Sequence, residues 1–285
     1  MSTSPTALRA PRTRRLTAGS SIKWVLLAIG VVVAIVPFLW MLSVAFRTQG
    51  DLFQRTASLI PQDWTLHGFQ GIWDQLPFLR LLLNTFVFAG AATLGCLVFD
   101  SMCAYALSRI NFRGRTLCFW LVLATLMVPF QVTLIPVFIE LFHLGWLNTY
   151  QGLIIPRATS AFGIFLLRQF FISIPKELDE AARIDGAGHF RIYLRVILPL
   201  SKPALASVAL INFMNLWNDL LWPLVVTDSP TMRTLPAGLT LFGGQHVTDY
   251  AVLMAGATIS LLPLAIAFFL AQRYFIAGVA TTGLK

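Results

Sequence analysis

An apolar run over residues 22–46, interrupted only by Lys23 near its start, constrains this chain more than any other feature. A signal-peptide core holds roughly 7 to 15 apolar residues before a small-residue cleavage site. This run is longer, and no such site follows it. About 20 apolar residues in a helix cross roughly 30 Å of hydrocarbon, so the run reads as an uncleaved membrane span. Five further runs meet the same requirement, at 81–107, 116–142, 150–174, 203–226 and 251–272. Arg157 and Arg168 make the fourth the least regular, while Pro129, Pro136 and Pro263 are expected to kink the third and the sixth. Spanning helices satisfy their own backbone polar groups, which hydrocarbon cannot. The expected fold is therefore all-α, a polytopic membrane protein of six transmembrane helices. Composition agrees: 57% of the residues are hydrophobic and 12% are charged, about half the roughly 25% charged content of soluble domains. That balance excludes disorder, a nucleic-acid-binding domain and a secreted disulfide scaffold.

The net charge of +9 would suggest nucleic acid in a soluble protein. Here the basic residues lie between apolar runs and report topology. With the N-terminus inside, fifteen Lys and Arg fall on the inner side, four on the outer side, and Arg157 and Arg168 within a span. Such a bias places both termini in the cytoplasm. Residues 1–21, with Arg9, Arg12, Arg14 and Arg15 among Ser, Thr and Pro, read as a disordered basic cytoplasmic tail. Residues 22–285 form the transmembrane domain. Two outer segments are long: 47–80, with Trp64 and Trp73, and 228–250, with Gly243, Gly244, Gln245 and His246. The first is too long for a mere connector and is expected to pack and to meet a partner. Cys96, Cys103 and Cys118 lie in or beside apolar runs without metal-ligand spacing, and read as packing residues.

The inner loop between the fourth and fifth runs carries the most information. Residues 176–184 are rich in helix formers and follow Pro175, which suits a helix start. Asp185-Gly186 breaks that helix, and residues 188–197 resume it until Pro199. Ala181 and Ala182 leave a smooth face for another protein, and Glu180 beside them can accept charge-assisted hydrogen bonds. The alternative is a solvated charged turn that only sets topology.

Glu180-Ala181-Ala182, Asp185-Gly186-Ala187, Phe190 and Ile197-Leu198-Pro199-Leu200 resemble the EAA loop of bacterial ABC importer permeases. The outer stretch PQDWTLHGFQGIW, AYALSRINFRGR at 104–115, LGWLNTYQGLIIP at 144–156, WNDLLWPL at 217–224 and the ending QRYFIAGVATTGLK fit in order. Together they resemble the carbohydrate-type branch, the maltose- and glycerol-phosphate-type permeases. The resemblance implies a type I importer (MetI-like) permease fold with a core at about 80–272 and the EAA coupling loop at 175–200, in the bacterial cytoplasmic (inner) membrane. It also implies partners: a second permease in a heterodimer, two cytoplasmic ATPases that use ATP and Mg, and an extracytoplasmic substrate-binding protein. Glu180, Ala181, Ala182, Asp185, Gly186 and Ala187 would then couple the ATPase to transport. In this family the other permease can hold most of the sugar site. The chain has no GxxxxGK[ST] loop, so no cofactor is expected on it. Paired carboxylates, a nucleophile triad and a zinc pattern are also missing from the sequence, so it reads as a transport subunit and not an enzyme.

In the fifth run, Asn212, Asn215, Asn218 and Asp219 recur at helical spacing, and Trp222 continues the stripe. Intramembrane polar residues face a cavity or a partner helix. Amides beside an aromatic platform suit a sugar, whereas interhelical glue would use the same amides. Asn84 and Thr85 read as helix caps, and Glu140 and His143 as interfacial polar residues. Asp100 and Arg168 lie at similar depth in the second and fourth runs and are expected to form an ion pair, the alternative being separate snorkelling. The function expected is import of an oligosaccharide or related carbohydrate. The alternatives are uptake of glycerol-3-phosphate or its diesters, and, from another class, a passive channel or membrane scaffold.

Overall fold

The computed structural model describes residues 18–54, 58–242 and 249–282. Residues 1–17 of the basic tail, Arg55, the 243–246 segment and Lys285 lie outside the described residues. All regular structure among the described residues is helical. Helix α1 (Ala18–Ala45) leads through α2 (Gln49–Gln54) and α3 (His67–Gln75) to α4 (Phe78–Arg109). Then come α5 (Arg115–Thr125), α6 (Phe130–His143), α7 (Tyr150–Ile154) and α8 (Ala161–Ser173). The loop region holds α9 (Glu177–Ile184), α10 (His189–Ile192) and α11 (Leu198–Leu200). The chain closes with α12 (Lys202–Trp217), α13 (Leu221–Val226), α14 (Leu235–Leu239) and α15 (Tyr250–Thr282).

Helices α1, α4 and α15 are each long and apolar enough to cross a membrane. The third run is broken: α5 and α6 meet at 96°. Pro129 explains the break. It cannot donate a helical hydrogen bond, and it disfavours helical geometry at Val128. The chain tightens into i→i−3 bonds at Leu126, Met127 and Val128, and Pro129 adopts extended geometry ahead of α6. Pro37, Pro136 and Pro263, by contrast, remain inside helices. The fourth run is likewise no single helix. It passes through α7 and a 3₁₀ turn at Ile155–Arg157, then restarts at Ser160, whose Oγ accepts from the Gly163 amide at 3.3 Å. The 13 residues of α8 span about 20 Å, short of the hydrocarbon thickness. The fifth run ends its helix at Trp217 and restarts as α13.

Helix α4 is central, with α8 and α12 packed along it, while α15 backs α12, α3 and α1. Near the start of α4, Ile72, Phe78, Leu81, Leu235 and Val252 form one buried cluster. Near its end, Tyr105, Leu167, Phe171, Tyr193 and Ile197 form another. Between them Phe88, Leu153, Trp217 and Trp222 fill the middle. Helix α1 leaves Trp24, Leu26, Val33 and Phe38 exposed, an apolar face that suits lipid or a partner helix and not water.

Candidate docking platform and transmembrane cavity

The platform is α9 and the turn that follows. Its first turn carries Glu177, Asp179 and Glu180, and its last turn carries Arg183, the order that complements the helix dipole. The end is a Schellman motif: Ala187 N–H donates to the Ala182 carbonyl and Gly186 N–H to that of Arg183, both at 2.9 Å. Gly186 adopts φ +78°, the left-handed region where a Cβ is strained. The Asp185-Gly186 break thus has a defined geometry. A π-helical stretch, Tyr193–Ile197, then precedes Pro199, whose ring would crowd the Arg195 carbonyl in a regular α-helix.

The structure sorts the loop residues by direction. Glu180, Ala181 and Asp185 face outward, while Ala182 and Ala187 pack against the cluster at the end of α4. Ile184 is 87% exposed and Phe190 64% exposed, so two large apolar side chains crown the platform. Asp179, by contrast, is buried against Arg109, the last residue of α4. The Arg109 guanidinium donates to the Asp179 carboxylate at 3.3 Å and to the carbonyls of Phe171 and Ile174 at 2.5 and 2.6 Å. Those carbonyls lie at the C-terminal end of α8, where the last carbonyls run short of helical partners. One side chain therefore ties α4, α8 and α9 together. In the sequence Arg109 stands only as one of the basic flanks that report topology. Nothing in its spacing from Asp179 announces the contact.

The second feature is a cavity of about 180 Å³ among α4, the α7–α8 break and α12, lined by Cys96, Arg157, Thr159, Ser160, Asn212 and Asn215. It gathers only part of the expected polar stripe. Because α12 stops at Trp217, Asn218 caps the helix end and donates to the Met214 carbonyl at 2.8 Å. Asp219 accepts from Arg157 at 2.7 Å and from the Trp222 amide at 3.2 Å. The Arg157 guanidinium also lies 4.4 Å from the centre of the Phe130 ring. The aromatic end of the stripe is a correction. Trp222 is fully buried and donates through Nε1 to the Leu153 carbonyl at 2.9 Å, so it is core and not a sugar platform.

The Asp100–Arg168 pair is also corrected. Asp100 is fully buried and accepts from the Thr159 hydroxyl at 2.7 Å and the Ser160 amide at 3.0 Å. It serves the break before α8, and Gly163 leaves it room: a Cβ there would collide with the carboxylate. Arg168 instead donates to the Leu107 carbonyl at 3.2 Å and lies 3.8 Å from the Phe119 ring centre. Hydrogen-bond donors and a π face satisfied the two charges separately, at shorter range than each other's side chain offered. Asn84 and Thr85 do not cap their own helix. Asn84 donates to the carbonyls of Thr231 and Arg233 and accepts from the Tyr150 hydroxyl. Thr85 accepts from the Leu235 amide at 2.7 Å and so caps α14. Among the described residues no group of His, Cys, Asp and Glu could hold a metal ion.

A helical bundle with membrane-length apolar helices, a helix–turn–helix tied to it by Arg109 and a polar cavity inside fits the membrane subunit of a transport system. The chain belongs to the family of binding-protein-dependent transport system inner membrane components, whose model matches residues 99–281. It is 35% identical to the probable ABC transporter permease protein YurM of Bacillus subtilis, over 95% of this chain and 91% of that one. It is 36% identical to the arabinooligosaccharides transport system permease protein AraQ of Halalkalibacterium halodurans, over 89% of this chain and 92% of that one. It is also 36% identical to the sn-glycerol-3-phosphate transport system permease protein UgpE of Yersinia pestis, over 90% and 94% of the two chains. Among solved structures, a bacterial ABC transporter involved in the import of the acidic polysaccharide alginate has a chain of the same fold. Its TM-score is 0.80 at 26% identity, covering 94% of this chain and all of that one. The family resemblance carried by the EAA loop and its flanking motifs is thereby borne out, as are the all-helical fold and the inner-membrane location.

Proposed function

We propose that this chain forms half of the pore of an ATP-driven importer of a carbohydrate, paired with a second permease in a heterodimer. Two cytoplasmic ATPases dock on the platforms of the two permeases, and an extracytoplasmic binding protein delivers the solute. ATP and Mg belong to the ATPases, and this chain binds neither. The observation that carries the reading is the crown of Ile184 and Phe190 beside Glu180 and Ala181, held on the bundle by Arg109. An exposed apolar crown with an acidic flank suits a groove on another protein, and its tether passes any displacement directly to α4 and α8. Asn212 and Asn215 border the solute path, while Asn218 and Trp222 serve helix ends and core.

The solute class is supported by AraQ and by the alginate importer, whose names give carbohydrate substrates. UgpE favours glycerol-3-phosphate as a second reading. Replacing Glu180 with Lys, or Gly186 with Val, is expected to release the ATPases or to uncouple ATP hydrolysis from uptake. Normal uptake and normal recovery of the complex in both variants would defeat the docking role.

A further inference from the structure

The cavity between α4, the α7–α8 break and α12 has features that the solute-path reading does not use. Asn212 is 7% exposed, yet its Nδ2 has no hydrogen-bond partner among the described residues. The Nε of Arg157 is likewise buried without a partner. Buried donors without acceptors are rare in proteins and call for an explanation, such as an unseen ligand or water. Two acceptor–donor groups face the same space. The Thr159 hydroxyl donates its proton to Asp100 and keeps its lone pairs free to accept. The Ser160 hydroxyl accepts from Gly163 and keeps its own proton. Asn215 stands at the exposed side and adds a carbonyl and an amide.

The charges decide what such a site takes. Its cation, Arg157, is neutralised by Asp219 at 2.7 Å. Behind Thr159 and Ser160 lies the Asp100 carboxylate, which has no basic partner within salt-bridge distance among the described residues. An anion entering the cavity would meet no free positive charge and one buried negative charge, in a medium where unpaired charge is costly. A neutral solute rich in hydroxyls can both accept from Asn212 and Arg157 and donate to Thr159. A volume of about 180 Å³ holds about six waters, the space of one sugar ring and not of a chain.

We infer that this cavity is a subsite for one ring of an uncharged carbohydrate, and that the Arg157–Asp219 pair excludes phosphorylated or carboxylated solutes from it. The inference rests on the importer reading and narrows its solute to the neutral class, unlike the acidic polysaccharide named for the structural relative.

Asn215 stands at the exposed side of the cavity, so Asn215→Cys places a water-reachable thiol there. With Cys96→Ser, Cys103→Ser and Cys118→Ser it is the single cysteine of the chain. The complex copurified with this full-length chain is reconstituted in liposomes and treated with a small water-soluble methanethiosulfonate, with labelling at position 215 read by peptide mass. Neutral arabino-, gluco- and galacto-oligosaccharides serve as probes beside glycerol-3-phosphate. At least one neutral sugar is expected to slow labelling several-fold, and glycerol-3-phosphate is not. Asn212→Ala should weaken that protection by about threefold to tenfold, the effect of one lost hydrogen bond. Asp219→Asn, which frees Arg157, should let glycerol-3-phosphate protect position 215. A thiol at 215 staying unlabelled in every nucleotide state would overturn the subsite. So would protection by none of the sugars, or equal protection by glycerol-3-phosphate in the parent protein. ATP-driven uptake is measured on the same liposomes. Uptake without protection rejects the subsite and leaves the importer reading intact, whereas absence of any nucleotide-driven uptake counts against the importer reading itself.

Discussion

At the scale of single residues, the bundle depends on a few buried polar side chains whose partners are backbone groups as often as other side chains. Arg109 is the clearest case, since its planar fork reaches a carboxylate and two carbonyls at once. Removing one member of a buried charge pair typically costs about 3–5 kcal/mol. Arg109→Gln is therefore expected to lower the melting temperature of the purified complex markedly. Arg109→Lys should fall between the two, because an ammonium keeps the Asp179 contact but cannot serve both carbonyls. A lysine variant as unstable as the glutamine variant would show that the carbonyls, and not the pair, dominate. Gly163 is constrained by its neighbour in the same way. Gly163→Ala drives a methyl into the Asp100 carboxylate and should destabilise by about 1–3 kcal/mol, the usual effect of overpacking. Combining it with Asp100→Ser, which opens space, should cost less than the two losses added together. A double-mutant cycle on melting temperature checks this, and strict additivity would reject the contact.

Among the elements, the helix–turn–helix of the loop stands out because its geometry follows from local chemistry. The Schellman closure at Gly186, the acidic first turn of α9 and the π-helical stretch before Pro199 each arise within a few residues. Most of it could therefore be read from the order of residues alone. What lay beyond that reading was direction. Ala181 and Ala182 are neighbours in sequence, but one faces out and the other packs inward, and only the seating of α9 against α4 and α8 settles which. Ile184 is the most exposed of the loop's large apolar residues. Ile184→Asp should leave the stability of the permease within about 0.5 kcal/mol, as most surface changes do. It should reduce retention of the ATPase on affinity-purified complex by about tenfold or more, as truncating an interface anchor does. Unchanged retention would remove Ile184 from the interface.

For the molecule as a whole, the charge asymmetry of the loops predicts that both ends of the chain lie in the cytoplasm. Alkaline phosphatase fused after the last residue should then be inactive, and a cytoplasmic reporter at the same place active; the reverse result would invert the topology. Apolar run length and basic flanks are local properties, so hydrocarbon location, helical class and the helix–turn–helix loop were determined by the order of residues. The long helices α1, α4 and α15 followed directly, because about 20 apolar residues can cover hydrocarbon only as a helix. The third, fourth and fifth runs meet the same length requirement, yet all three are broken, beyond the kink that Pro129 implies for the third. Hydropathy registers transfer to an apolar medium but not the backbone bonds that Pro129 or a capping Ser160 redirects. The partners of Asp100, Arg168, Asn84, Thr85 and Trp222 were also beyond the sequence. A buried polar group takes whichever donor, acceptor or ring the packed helices bring within hydrogen-bond reach, and that proximity exists only after α4, α8, α12 and the 231–235 segment have assembled.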